Sequence, residues 1–148
     1  MRDDDDILRE CKNLYGKGNM LVRNFHMCSE NVKILLFKTF CSSFYTCQLW
    51  WNYPKAIIHK LKVAYNNIFR MLFKLPRDSS ASSMLANRYV NSCPGIIRKL
   101  IYGFRSRVEQ NDNQILSSML TADMRWWSRI RLHWASLLFT SDGNRTLF

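Results

Sequence analysis

Between Pro54 and Pro76 apolar residues recur at a spacing that gathers them on one side of a helix but on neither face of a strand. Ile57, Ile58, Leu61, Tyr65, Ile68, Phe69, Leu72 and Phe73 keep to the 3.6-residue period. Lys55, Lys60, Lys62, Arg70 and Lys74 fall largely outside that stripe. Pro54 suits a first helical position, where its missing N–H is one of the unpaired donors anyway. Pro76 pushes the residue before it out of helical geometry. A helix closed at both ends by proline is therefore expected here.

The same period recurs on either side. Ile7, Cys11, Leu14, Leu21, Val22 and Phe25 form one stripe after the aspartate run Asp3–Asp6, which is expected to cap the helix start and complement its dipole. Gly16 and Gly18 mark a bend or a close helix crossing in its middle. Ser29 is the expected cap of a second helix carrying Val32, Leu35, Leu36, Phe40, Phe44, Cys47 and Trp51. Phe37, Tyr45 and Trp50 make that helix apolar nearly all round, the pattern of an interior element.

Beyond Pro76, Ser79 to Ser83 reads as a small polar linker that caps a short helix through Met84, Leu85 and Tyr89. Cys93-Pro94-Gly95 is a break leading into a fifth helix with Ile96, Ile97, Leu100, Ile101, Phe104 and Val108. Asn111 to Asn113 ends it and opens a short segment from Gln114 to Leu120. A last helix spans Asp123 to Phe139 with Trp126, Trp127, Ile130, Trp134, Leu137 and Leu138. With no strand pair and no repeat, the expected fold is all-α: one bundle-like or orthogonally packed domain over 1–140 and a frayed tail over 141–148.

Composition narrows the function. The 148 residues suffice for one domain with a core, and 47% hydrophobic content argues against disorder. A net charge of +11 points to an anionic partner, nucleic acid before membrane. From Asn31 to Arg77 there are eight Lys or Arg and no Asp or Glu. Cys11, Cys28, Cys41, Cys47 and Cys93 include no Cys-x-x-Cys pair and no histidine at zinc-finger spacing. An odd count behind an acidic N-terminus suits buried thiols in a reducing compartment, cytoplasmic or nuclear. Ile34 to Trp51 carries only Lys38 as a charge but five Ser, Thr or Gln side chains, so a buried helix is expected rather than a membrane span.

The catalytic possibilities are thin. Consecutive aspartates on a helix point in different directions, and no distant carboxylate pattern converges on Asp3–Asp6, so a metal site is not expected there. His26, His59 and His133 have no evident nucleophile partner. Gly16-Lys-Gly18 lacks the rest of a phosphate loop. No cofactor is expected. The better hypothesis is phosphate contact by Lys55, Lys62 and Lys74 as one ridge, with Lys60 and Arg70 beside it and Arg77 just beyond. Arg98, Lys99, Arg105 and Arg107 make a second basic group. Arg125, Arg129 and Arg131 sit among tryptophans, which are expected in the core although such rings also stack bases.

The string Phe69-Arg-x-Leu-Phe-x-Leu-Pro-Arg-x-x-Ser-Ala-Ser82 resembles the region following the polymerase domain in non-LTR (LINE-type) retrotransposon reverse transcriptases. Asp3-Asp-Asp-Asp-Ile-x-Arg-Glu-Cys-x-x-Leu-Tyr15, Asn19-Met-Leu-x-Arg-x-Phe25, Cys28-Ser-x-x-Val-Lys33, Leu36-Phe-x-x-Phe-Cys41 and Leu49-Trp50 resemble that family in the same order. The resemblance runs from Asp3 to about Arg107. It implies a helical, thumb-like fragment that grips template–primer or element RNA alongside the rest of a reverse transcriptase. The family's palm aspartates and its Cys/His knuckle are not among these residues, so no polymerase activity is expected of the chain by itself. The competing expectation is a helical protein-interaction remnant with no direct nucleic-acid role.

Overall fold

The stripe between the two prolines becomes the helix against which the first, second and fifth helices pack. The computed structural model describes residues 3–121 and 125–139. In chain order these form α1 (Asp4–Asn24), α2 (Glu30–Cys41), a short 3-10 turn (Cys47–Leu49), α3 (Lys55–Phe73), α4 (Ala81–Ala86), α5 (Cys93–Glu109), α6 (Gln114–Thr121) and α7 (Arg125–Phe139). No strand occurs among the described residues, and the fold is all-α. The expected tail from Ser141, the start of the last helix at Asp123 and the side chains of Arg125 and Trp126 lie outside the described residues.

α3 buries Leu61, Ala64, Tyr65, Ile68, Phe69 and Leu72. α1 lies along it, burying Ile7, Cys11, Leu14 and Leu21. Gly18 is their crossing point: a Cβ there would stand 2.5 Å from Cγ2 of Ile68. Only a residue without a side chain leaves room for the Ile68 side chain against α1. α1 is continuous through both glycines, and of the two expectations, a bend or a close crossing, Gly18 meets the second. Phe37 enters the same core from α2, its ring centroid 4.9 Å from that of Tyr65 and 5.0 Å from that of Phe69. α5 then packs on α3, and α7 on α5.

The second helix differs most from expectation. It ends at Cys41 rather than continuing to Trp51, and Thr46 adopts a left-handed conformation with φ 62° before the 3-10 turn. The amides of Trp51 and Asn52 find a partner other than a helix, since both donate to Asp3 Oδ2, at 2.9 and 2.8 Å. Asp6 Oδ2 accepts from Trp50 Nε1 at 2.7 Å and from the Thr46 hydroxyl. Asp3 thus occupies the N-cap position of α1 without capping it, and the aspartate run clasps the 46–52 segment instead. With the helix cut short, α2 is not interior: Phe37 and Cys41 are buried, while Val32, Leu35 and Phe40 face outward.

The other boundaries move by a residue or two. Pro54 is the N-cap of α3 rather than its first residue. Ser92 caps α5, its hydroxyl accepting from Gly95 N at 3.3 Å, which places Cys93-Pro94-Gly95 inside the first turn and not in a break. Tyr89 lies beyond α4.

Candidate nucleic-acid interface

α3 does not present its cations as one ridge. Lys55 and Lys62, seven residues apart, stack on one side two turns apart and are both exposed. Lys60, two residues from Lys62, projects from the opposite side. Burial pushes the Cys93 thiol up to about 12, with Lys62 pulling the other way, and burial together with the Glu10 carboxylate raises the Cys11 thiol, with Lys60 pulling the other way.

Lys74 stands apart from the Lys55–Lys62 line. It follows the last residue of α3 in a left-handed conformation with φ 52°. Arg77 is exposed in the turn beyond. Arg70 is half-buried and engaged inside the molecule. Its guanidinium donates to Asn67 Oδ1 at 3.2 Å and to the Ser79 carbonyl at 2.8 Å, bracing the turn between α3 and α4. These two bonds make Arg70 a strut in this structure, and its Nε is buried with no acceptor.

Three members of the second basic group hold together better, while Arg107, nine residues from Arg98, leaves α5 on the other side. α5 turns Cys93, Ile96, Ile97, Ile101 and Val108 inward, which leaves Arg98 and Lys99 on its solvent face. Arg105 shares that face but is paired with Glu109, Nε to Oε1 at 2.7 Å. Tyr102 lies among them, one turn from Arg98, with 63% of its surface exposed. The helical stripe gave the means to find it, because Tyr102 is the aromatic of α5 that falls outside the apolar face. Arg88 was also missed. It pairs with Glu30 at 2.6 Å and lies 4.9 Å above the Phe73 ring, tying the end of α4 to α2 and α3.

The tryptophans serve the core where they are described. Trp50, Trp127 and Trp134 are buried, and Trp134 Nε1 donates to the Gln48 carbonyl at 2.7 Å. Arg129 lies 5.6 Å above the half-buried Trp51 ring. His133 meets the Tyr53 hydroxyl at 3.1 Å, and burial lowers its pKa against the opposing pull of Asp3.

The reactive residue types are placed for structure. Cys11, Cys28, Cys41, Cys47 and Cys93 are free thiols. Burial pushes Cys41 and Cys47 up to about 12, which keeps them protonated and unreactive. Partial burial tends to raise the Asp6 carboxyl, but hydrogen bonds from Thr46 and Trp50 and the Arg9 guanidinium outweigh it and hold it below the ordinary value. Among the described residues no group of three or more His, Cys, Asp or Glu side chains is placed to share a metal ion. No described helix is long and apolar enough to cross a membrane. Comparison with family models, with curated proteins and with solved structures returns no match.

Proposed function

We propose that this chain is a non-catalytic nucleic-acid-binding helical module that grips a template–primer duplex or a folded RNA by its phosphates. The observation that carries this reading is the solvent face of α5, where exposed Arg98 and Lys99 flank an exposed Tyr102 on a chain of net charge +11. Cations supply counterion release and orientation on the backbone. A ring beside them supplies stacking where bases are splayed. The resemblance to the region after the polymerase domain of LINE-type reverse transcriptases supports the same reading, under which the chain is a fragment that works beside a polymerase.

The test is binding to a hairpin RNA over a range of salt concentrations. The log–log slope should be about −0.9 for each duplex phosphate engaged. Replacing Lys62, Arg98 and Lys99 together by Gln should weaken binding and flatten that slope by about 0.9 for each phosphate that is no longer neutralised. A folded triple variant with the parental affinity and slope rejects this face. A second reading, a protein-interaction module, is favoured by the outward apolar side of α2, where Leu35 is 65% exposed. Salt-insensitive capture of a protein partner, with no RNA bound, selects that reading instead.

A further inference from the structure

The molecule has a second basic recess, away from the face of α5. Lys33 of α2, Lys74 at the end of α3 and Arg88 beyond α4 line a shallow cleft of about 210 Å³ floored by Leu72 and Phe73. The one carboxylate in it, Glu30, accepts from Arg88 Nε and so fixes the guanidinium over the Phe73 ring. Three cations face one carboxylate there, which leaves the cleft electropositive.

Among the described residues, two of the three that have positive φ without being glycine close the helices leading into this cleft, the third being Thr46. Both helices that end near the cleft close in the same six-residue pattern. After α3, Leu75 N donates to the Arg70 carbonyl and Lys74 N to the Met71 carbonyl. After α4, Val90 N donates to the Leu85 carbonyl and Tyr89 N to the Ala86 carbonyl. Such a closure needs a left-handed residue at its fifth position, where glycine is usual because it has no Cβ. Here those positions hold Lys74 and Tyr89, each with φ 52°. A bulky residue at positive φ is an outlier, and conformations of that kind gather at ligand sites. Tyr89 returns nothing to packing, being 89% exposed. Its ring is held out into solvent directly after Arg88.

We infer that this cleft is a subsite for single-stranded nucleic acid, with a phosphate group between Lys33, Lys74 and Arg88 and the adjoining base stacked on Tyr89. The inference rests on the proposed nucleic-acid function and adds the form of strand held and the place that holds it. Charge alone suits any phosphate, but an exposed ring on the residue next to Arg88 suits a phosphate that carries an unpaired base.

The strain itself provides the test, since glycine at either position keeps the backbone while removing the functional group. Lys74→Gly and Tyr89→Gly are compared with the parent chain for binding to a short oligouridylate, to an RNA duplex of equal length and to inorganic phosphate. Both variants should melt at or above the parental temperature, so that weaker binding does not reflect unfolding. Tyr89→Gly should weaken oligouridylate binding by about 5- to 100-fold and leave duplex binding nearly unchanged. Lys74→Gly should weaken it and flatten its salt slope by about 0.7. Parental oligouridylate affinity in both variants overturns the subsite and leaves the α5 face standing. Inorganic phosphate competing for the cleft while Tyr89→Gly has no effect also overturns it, by reducing the cleft to a simple anion site. A parent chain that binds neither RNA overturns the subsite together with the function it rests on.

Discussion

Gly16 and Gly18 sit two residues apart on α1 and ought to respond to the same substitution with opposite signs. Nothing lies within 4 Å of a Cβ built at Gly16. Gly16→Ala should therefore gain about 0.5–1 kcal/mol from the smaller entropy lost in forming the helix. At Gly18 the added methyl meets the fully buried Ile68, whose side chain has no room to retreat. Gly18→Ala should cost about 1–3 kcal/mol by overpacking. Ile68→Ala should then be less damaging in the Gly18→Ala background than alone, a coupling that a double-mutant cycle in denaturant will measure. The sequence showed two helix-weakening glycines. It did not show which one met a partner, because that depends on how α1 lies across α3. Arg70 presents the same difficulty. Its position outside the apolar stripe was legible, but a stripe does not reveal that the turn at Ser79 folds back to take its guanidinium.

Besides the buried Trp127, Ile130 and Trp134, α7 is joined to the rest by a few directional contacts, and one of them titrates. His133 meets Tyr53, and its neighbour Trp134 donates to Gln48. Burial lowers the His133 pKa in the folded chain, with Asp3 pulling the other way. A depressed folded-state pKa means that the unfolded chain binds more protons across the window between the two values. The stabilisation is complete above the ordinary histidine value of about 6.5 and is lost as pH falls through the lower folded value. Melting temperature should accordingly fall between about pH 7 and pH 5. His133→Gln, neutral throughout that range, should remove this part of the slope. Asp6 contributes with the same sign but in a separate, more acidic window, since its carboxyl is held below the ordinary value. At the scale of elements the helices themselves were legible, because α1, α3 and α5 each repeat a single apolar stripe between clear stop signals. α2 was not. An apolar run from Val32 to Trp51 has no periodicity that distinguishes one long helix from a short helix, a turn and a clasped segment. What decides between them is Asp3 and Asp6, far away in the chain.

Taken whole, the molecule keeps its apolar residues around α3 and spreads its cations over several surfaces. Composition foretold the charge but not its distribution. The expected ridge on α3 loses Lys74, which lies past the helix end in a left-handed conformation, and Lys60 leaves the helix opposite Lys62 instead of beside it, whereas Arg98, Lys99 and Tyr102 share the solvent face of α5. Tyr89 could not have been found from sequence at all, since a pattern of residue types carries no φ. The clasp at the N-terminus has a consequence for exchange with solvent. The amides of Trp51 and Asn52 belong to no helix, yet both donate to Asp3. In deuterated water they should exchange slowly, at the rate at which the first turn of α1 lets go, and not at the rate of a surface loop. Asp3→Ala should release both together while the amides in the middle of α3 stay protected. The first turn of α1 thus guards backbone 48 residues further along the chain.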